Sequence, residues 1–276
     1  MPIMRFPGGR RRALTLSYDD GVEQDEQLLR ILDEAGLKCT FNLNSGCWAP
    51  EGHVWPEGQI HRRLPASRVR TLYSGGGHEV AVHTLTHPDL TQLPENEMVR
   101  EILEDRRNLE AMFGGMVRGA AYPYGTYSDE TVEALRACGI VYCRTVWSSH
   151  NFAIPRDWLR LQPTCHHDDP QLDSLCDRFL NDSFYANSAL FYLWGHAYEF
   201  EAKDNWQRIR DFTARMGGRE EIWYATNIEV HDYVDAWSRL ILSADGKRAC
   251  NPTAVPLFAE SAGRIVTIAP GGTADL

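Results

Sequence analysis

The stretch ALTLSYDDG, residues 13–21, decides the fold. Its first six residues are apolar or β-prone, a run that is typical of a buried strand. A helical pattern follows, with apolar side chains on one face across residues 28–32 and Gly36 at its end. Asp19 and Asp20 stand between the strand and the helix. The stretch therefore predicts a strand–helix unit whose connection carries two carboxylates.

The same alternation of strands and helices continues along the chain. Predicted strands cover residues 13–18, 39–44, 78–83, 117–123, 140–146, 189–196 and 221–226. Amphipathic helical patterns lie between them, after Pro94, after Ser128, across residues 172–180 and across residues 206–216. Strands that alternate with helices run parallel and are joined by crossover helices. We therefore expect an α/β fold, a distorted (β/α) barrel of seven or eight strands that is closed or nearly closed.

The pattern changes near residue 241. Asp245-Gly246 and Ala262-Gly263 are turn signals between apolar runs, which indicates hairpins rather than further strand–helix units. We expect two parts, a barrel over residues 1–240 and a small β extension over residues 241–276 that packs on the barrel.

Composition limits the classes of partner. The formal net charge is −10, so nucleic acids and anionic membranes would be repelled, and we expect neither as a partner. No apolar stretch reaches 18 residues, and the first residues lack the apolar core of a secretory signal. The seven cysteines form no CxxC pair, which favours reduced thiols. The expected location is the cytoplasm, and the sequence predicts no oligomeric state.

Polar strings follow several predicted strands. Asp19 and Asp20 follow the first, His83 ends the third and begins HTLTH, and His196 ends LWGH. The carboxyl ends of parallel strands meet at one mouth of the fold, where active sites form. One carboxylate with two imidazoles is the ligand set of a hydrolytic zinc site with an open position. The strings together predict a metal site beside a spare carboxylate.

Each string alone has a plainer interpretation. Asp-Asp-Gly after a strand is common in turns and helix caps. His83 and His87 resemble the zinc-protease helix HExxH, but position 84 is Thr rather than Glu, and Pro88 argues against a long helix. CHHDD, residues 165–169, has a metal-like composition, but its side chains are too adjacent to wrap one ion, so we expect a polar loop.

The combination of strings resembles a known family. SYDDG, HTLTH, YPYG and LWGH, in this order and spacing, are similar to the motif series of the polysaccharide deacetylase family, the metal-dependent carbohydrate esterases of family four. The resemblance covers roughly residues 13–240. It implies a divalent cation, most often zinc, held by Asp20, His83 and His87. It also implies that the backbone N–H of Tyr124 helps to hold the tetrahedral oxyanion.

The resemblance further implies the acid and the base. Asp19, which is not a metal ligand, would be the base that takes a proton from a water bound to the metal. His196 would be the acid that protonates the leaving amine. The implied reaction is removal of the acetyl group from an N-acetylated sugar or glycan.

Two departures from the family pattern concern the surroundings of these groups. The usual Arg-x-Pro-Tyr reads Ala-Tyr-Pro-Tyr over residues 121–124, so the arginine that steadies the base is missing. Arg144, at the end of the next strand, is the candidate to replace it on Asp19. The usual Asp-x-x-Asp-Trp is also incomplete, since Ile154 stands where the first Asp should precede Asp157-Trp158.

Three functional hypotheses follow. The first is the metal-dependent deacetylase. The second is a hydrolase of a small amide or cyclic amide on the same fold, and the third is a carbohydrate-binding member without turnover, which has no need for Asp19 and His196. The expected partner is a carbohydrate or a small amide. Trp48, Trp147 and Trp194 follow or end predicted strands, where their rings could stack against sugars.

Overall fold

Eight parallel strands form the central sheet. The structure is a computed structural model that describes residues 2–75, 77–181 and 187–276. Its strands are β1 Ile3–Arg5, β2 Arg12–Asp19, β3 Thr40–Leu43, β4 Glu79–Val82, β5 Gly119–Ala121, β6 Tyr142–Arg144, β7 Cys165–His166, β8 Ala189–Gly195, β9 Ile222–Tyr224, β10 Ile241–Leu242, β11 Arg248–Cys250, β12 Leu257–Ser261, β13 Arg264–Ile268 and β14 Thr273–Asp275. Its α-helices are α1 Asp25–Glu34, α2 Ala66–Tyr73, α3 Glu95–Phe113, α4 Asp129–Ala137, α5 Leu172–Asn181, α6 Ala197–Ala202, α7 Trp206–Met216 and α8 Asn227–Ser238.

The sheet curls into a barrel, and β2 is the strand with which three other strands pair. The strand order is β6-β5-β4-β3-β2-β8-β7, and β9 also pairs with β2. β2 pairs with β8 over Arg12–Tyr18, and it also pairs with β9 near its start and with β3 near its end. Beyond the two end strands, a parallel bridge joins Arg144 of β6 to Leu161, four residues before β7. The predicted (β/α) barrel is confirmed.

The apolar periodicity explains which faces the helices bury. In α1 the apolar positions across residues 28–32 are buried against the sheet, as their helical spacing predicts. In α4, Ser128 caps the first turn through a reciprocal capping box with Thr131. All seven predicted strands and the five helices predicted from pattern are present, with small differences at their ends.

Helix α8, which the sequence analysis does not predict, closes the end of the barrel opposite to the mouth. Its N-terminal N–H groups donate to the first residues of two strands: Asn227 donates to the Thr40 hydroxyl at 3.1 Å and Ile228 to the Glu79 carboxylate at 3.0 Å. Tyr142 also donates to Glu79, at 2.7 Å. These contacts satisfy the buried polar groups at the helix start. The opposite, carboxyl end of the barrel is not covered by this helix.

The C-terminal unit includes the first strand of the chain. β12 pairs with β13 and also with β1, where Ile3 lies opposite Glu260, while β10, β11 and β14 form a second small sheet. The predicted division at residue 240 needs correction here, because residues 3–5 belong to the C-terminal sheet. A pairing between segments about 250 residues apart leaves no local signal in the sequence.

Two further features bear on the sequence predictions. The predicted polar loop at residues 165–169 is wrong at its start, since Cys165–His166 forms β7 and pairs with Leu193 and Trp194 of β8. Within the described ranges, no helix combines the length and the apolarity that a membrane crossing requires.

Tyr233 provides a test of how α8 joins the barrel to the C-terminal sheet. Its hydroxyl donates to the Arg5 carbonyl at 2.5 Å and accepts the Phe258 N–H at 3.1 Å. We expect Tyr233→Phe to lower the free energy of unfolding by about 1–3 kcal/mol, because two hydrogen bonds to the backbone are lost. Urea denaturation measures this loss, and an unchanged midpoint would contradict the assigned role.

Candidate active site

The predicted site residues meet at the carboxyl end of the barrel. Asp19 is the last residue of β2 and Asp20 follows it, while His83 follows β4 and His196 follows β8. His83 Nε2 lies 3.9 Å and His196 Nε2 lies 3.8 Å from Oδ2 of Asp19. Strands separated by many residues in sequence thus bring one carboxylate within contact of two imidazoles.

Asp19 is a buried carboxylate surrounded by donors. Its side chain is 2% exposed, its Oδ1 accepts the Asn42 amide at 2.7 Å, and its Oδ2 accepts the Arg144 guanidinium. Burial alone would favour the protonated acid, but Arg144 and the imidazoles of His83 and His196 outweigh it and lower the pKa of Asp19. Asp19 is therefore an anion at neutral pH.

The structure places Arg144 where the sequence analysis expects it. Ala121 of β5 and Arg144 of β6 are register partners on neighbouring strands. Arg144 therefore lies beside the position that the arginine of the usual Arg-x-Pro-Tyr would occupy. The Arg144 side chain is 1% exposed, and its guanidinium carbon lies 4.2 Å from the centre of the Trp194 ring. The contact with Asp19 and this stacking hold the guanidinium in one place.

Asp20, His83 and His87 form a compact ligand group. Each offers one ligand atom, and these atoms lie within 4.8 Å of one another. His83 Nδ1 lies 2.8 Å from the Ala121 carbonyl, which can only accept, so the proton is on Nδ1 and Nε2 keeps a free electron pair. Burial lowers the pKa of His83 to about 4, so the ring is neutral at neutral pH. The donor set and the tautomer both fit a divalent cation.

Two residues beside Asp20 were not found from the sequence. Arg63 donates to Oδ1 of Asp20 at 2.9 Å and to its backbone carbonyl at 2.5 Å, and His61 Nε2 lies 3.0 Å from Oδ2. Against the cost of burial, His61 and Arg63 hold the pKa of Asp20 far below its usual value. Both residues belong to the long segment between β3 and α2, where no periodic pattern marks a functional position.

Two carboxylates on α3 hold the loops that carry the ligands. Asp105 accepts the backbone N–H of Ser45 at 2.7 Å and that of His83 at 3.1 Å, and it is fully buried. Glu101, one turn earlier, accepts the backbone N–H of Thr86 at 2.8 Å. Their only signal in the sequence is a pair of acids, four residues apart, next to the apolar face of a helix.

Strained backbone marks the same region. Among the described residues, seven other than glycine have positive φ, and four of them are Asp20 at 87°, Thr84 at 67°, His87 at 60° and Tyr124 at 59°. Such conformations cost about 1–3 kcal/mol each and persist where the surroundings enforce them, as at functional sites. Their clustering at the mouth is an independent indication that the site is here.

The aromatic residues at the mouth differ from one another. Tyr124 is 64% exposed with its ring 4.7 Å from the His87 ring, and Trp147 is 63% exposed. Trp194, by contrast, is buried against Arg144, and Trp48 packs against the core. Of the three tryptophans that the sequence analysis suggests for sugar stacking, Trp147 has the exposure that this role needs.

The fold and the site define a class of protein: (β/α) barrels in which an Asp-His-His group that could hold a metal ion lies beside a second, buried carboxylate. Residues 7–143 match the family model described as polysaccharide deacetylase. The chain is 32% identical over 158 residues to a chitooligosaccharide deacetylase of Rhizobium leguminosarum bv. phaseoli, and this covers 56% of the chain and 60% of the relative. It is 30% identical over 168 residues to a chitooligosaccharide deacetylase of Sinorhizobium fredii, which covers 60% of the chain and 64% of the relative.

A solved structure agrees at the level of the fold. A candidate polysaccharide deacetylase from Mycobacterium smegmatis is 17% identical, covers 86% of this chain and 95% of its own, and superposes with a TM-score of 0.59. The chain belongs to the polysaccharide deacetylase family. It spans a little under two thirds of the length of the two curated relatives.

The ligand group predicts a difference between two neighbouring aspartates. We expect about one divalent ion per chain, lost in His87→Ala and in Asp20→Asn but retained in Asp19→Asn, because Asp19 is not a member of the ligand group and is held by Arg144 and Asn42. Elemental analysis of the purified variants measures this. His231→Ala, which removes a histidine on α8 far along the chain from the ligand group, is the matched control. Equal metal loss from Asp19→Asn and Asp20→Asn would contradict the division of roles.

Proposed function

We propose that this protein is a metal-dependent deacetylase that hydrolyses the N-acetyl group of an N-acetylated sugar or glycan. The proposal depends on one arrangement at the mouth of the barrel. Asp20, His83 and His87 form a ligand group, and Asp19 lies beside this group, between Arg144 and His196. The chitooligosaccharide deacetylases to which the chain is similar support the substrate class.

Asp20, His83 and His87 would hold the cation, most suitably zinc because of their oxygen and nitrogen donors. When bound, the cation supplies Lewis-acid activation of water and of the acetyl oxygen. His83 is already prepared for this role, since the Ala121 carbonyl fixes its tautomer. Asp105 holds the backbone N–H of His83 and keeps the ligand loop in place.

Asp19 acts as the base. A base must be ionised and must keep its acceptor oxygen near the water it deprotonates. Arg144 keeps the pKa of the buried Asp19 low despite burial, and Asn42 fixes the orientation of the carboxylate. Asp19 takes one proton from water as the oxygen attacks the amide carbon, and the carbon–nitrogen bond then breaks.

His196 acts as the acid. The leaving amine nitrogen must gain a proton as its bond to the acetyl carbon breaks. Burial opposes a charge on His196, but the carboxylates of Glu199 and Asp19 outweigh it, so the pKa of His196 is raised above its ordinary value. This shift favours the protonated ring that the amine needs, while the backbone N–H of Tyr124 is proposed to bind the developing oxyanion.

The exposed rings support a carbohydrate substrate. Tyr124 and Trp147 are both more than half exposed at the rim, although aromatic side chains of this size usually bury most of their surface. A flat ring at the edge of a polar site is suited to the apolar face of a sugar. We propose that these two rings hold the sugar that carries the acetyl group.

Acetate release from a panel of N-acetylated glycans of different lengths, with zinc supplied, tests the proposed function. We expect acetate in stoichiometric amounts with new amine groups, and a rate lower by about 10²–10⁴ for Asp19→Asn because the proton acceptor is lost. Release of ammonia or ring opening of a small cyclic amide, with no acetate from any glycan, would instead support the second hypothesis and contradict this one.

Arg144 provides a sharper test of how the site functions without the arginine of the usual Arg-x-Pro-Tyr motif. We expect Arg144→Met to retain the metal while kcat falls by about 10–10², because Asp19 loses the cation that holds it ionised and oriented. Adding Ala121→Arg to this variant returns an arginine to the register partner and should recover part of the turnover. Arg160→Met, which removes a more exposed arginine that pairs with Asp157, is the control. Unchanged turnover in Arg144→Met would contradict the assigned role.

A further inference from the structure

One carboxylate oxygen near the site is surrounded by imidazoles. Oε2 of Glu199, in α6, lies 3.0 Å from His166 Nε2, 3.2 Å from His167 Nε2 and 3.4 Å from His196 Nδ1. It also accepts the backbone N–H of His196 at 3.2 Å. Three histidines thus converge on a single oxygen: His166 lies in β7, His167 follows it and His196 follows β8. Glu199 belongs to none of the family motifs quoted above.

The composition of this cluster suggests a second metal site, because His166, His167, Asp168 and Glu199 offer ligand atoms within 4.8 Å of one another. The hydrogen bonds argue against it. His166 Nδ1 accepts the backbone N–H of Asp168 at 3.1 Å, so its proton is on Nε2, the nitrogen that faces Glu199. A metal-binding His83 has the opposite arrangement, with its proton on the nitrogen that faces away from the ligand group.

Asp168 is also engaged elsewhere. Its carboxylate accepts the Lys203 ammonium and, at 3.2 Å, the Asn205 amide, and Arg208 lies 3.6 Å away. Lys203 and Asn205 thus already occupy both carboxylate oxygens of Asp168. With Asp168 and His166 committed, two donors remain, which is fewer than the three protein ligands typical of a zinc site.

His167 contributes shape rather than charge. It is 1% exposed and lies between two rings, with the Phe200 ring 4.1 Å away at 26° and the Tyr18 ring 5.7 Å away at 18°. Burial lowers the pKa of His167 to about 4, so this ring is neutral at neutral pH. Beside this neutral ring, His166 Nε2 and His196 Nδ1 lie 3.0 Å and 3.4 Å from Oε2 of Glu199.

We propose that Glu199 is the positioning residue of His196, with His166 as the donor that fixes the Glu199 carboxylate. This inference rests on the proposed function, in which His196 is the acid. His196 then lies between two carboxylates at ion-pair distances, with Nδ1 3.4 Å from Glu199 and Nε2 3.8 Å from Asp19. This arrangement favours the doubly protonated ring and directs one N–H toward the leaving amine.

The charges around His196 act in the same direction. The carboxylates of Asp19 and Asp20 from the end of β2 and that of Glu199 from α6 all favour its protonated form, against the effect of burial. Glu199 stays ionised, since His166 and His196 lower its pKa despite burial. The partly exposed His166 ring lies 6.4 Å from that of His196, and Lys203 is engaged by Asp168. Of these three carboxylates, Asp20 belongs to the ligand group and Asp19 is the proposed base. Glu199 has neither role.

Glu199→Gln in the full-length, zinc-loaded protein tests the proposal. The amide keeps an oxygen that can accept the His196 backbone N–H but removes the negative charge. We expect kcat to fall by about 10–10² with KM unchanged. The alkaline limb of the pH–rate profile should move by about one unit to lower pH, because His196 loses a carboxylate that favours its proton. Glu201→Gln, two residues along α6, removes a carboxylate paired with Arg62 at 2.8 Å and should change neither quantity.

A second measurement keeps this test separate from that of the proposed function. NMR titration of the His196 ring requires no substrate, and its pKa should be lower in Glu199→Gln than in the wild type and in Glu201→Gln. An unchanged His196 pKa would overturn the inference even if the wild type releases acetate, and a lowered pKa would support it even if no acetate is found. A second equivalent of zinc in the wild type that Glu199→Gln loses would also overturn it, because Glu199 would then be a metal ligand.

Discussion

A carboxylate buried beneath the mouth of the barrel needs a cation in contact with it, and the pair of Asp19 with Arg144 meets this need. Removing one member of such a buried pair costs several kcal/mol, since the other charge is left unpaired in a poorly solvated place. Arg144 reaches Asp19 from β6, while its register partner on β5 is Ala121. The small side chain of Ala121 leaves this space to the guanidinium, and its carbonyl is then used to orient His83.

At the mouth of the barrel, carboxylates alternate with arginine and histidine side chains on both sides of this pair. Asp20 is held by Arg63 and His61, Asp19 by Arg144 and His196, and Glu199 by His196 and His166. His196 is shared between two carboxylates and is therefore the best candidate for a protonated imidazole. Each carboxylate thus has a different set of cationic or imidazole partners, which suits the three roles proposed for them: binding a cation, accepting a proton and positioning the acid.

Much of the fold and part of the site could be predicted from the sequence. Strand-like and helical patterns give seven of the eight central strands and five helices, and the rule that parallel strands end at one mouth brings together Asp19, His83 and His196. Arg144 could be proposed because its strand follows that of Ala121 along the chain. The motif series identified the family, and the family model matches residues 7–143.

The remaining features depend on tertiary contacts that leave no local pattern. His61 and Arg63 lie in a long segment without periodicity, and β1 joins a sheet formed by the last residues of the chain. The prediction of a polar loop at residues 165–169 was wrong at its start, because two residues pair with the edge of β8 and form a short strand. So short a strand has no recognisable sequence pattern. Glu199 and His166 are 33 positions apart and meet only because β7 and β8 are neighbours.

The central claim is that a single cation binds Asp20, His83 and His87, while Asp19 does not bind the cation and pairs with Arg144. The most direct measurement is anomalous diffraction at the zinc edge from crystals of the zinc-loaded protein. The account predicts one strong peak within about 2.0–2.2 Å of a carboxylate oxygen of Asp20 and the Nε2 atoms of both histidines, with the Arg144 guanidinium on Asp19. A peak bonded to Asp19, or one centred between Glu199 and His166, would contradict it.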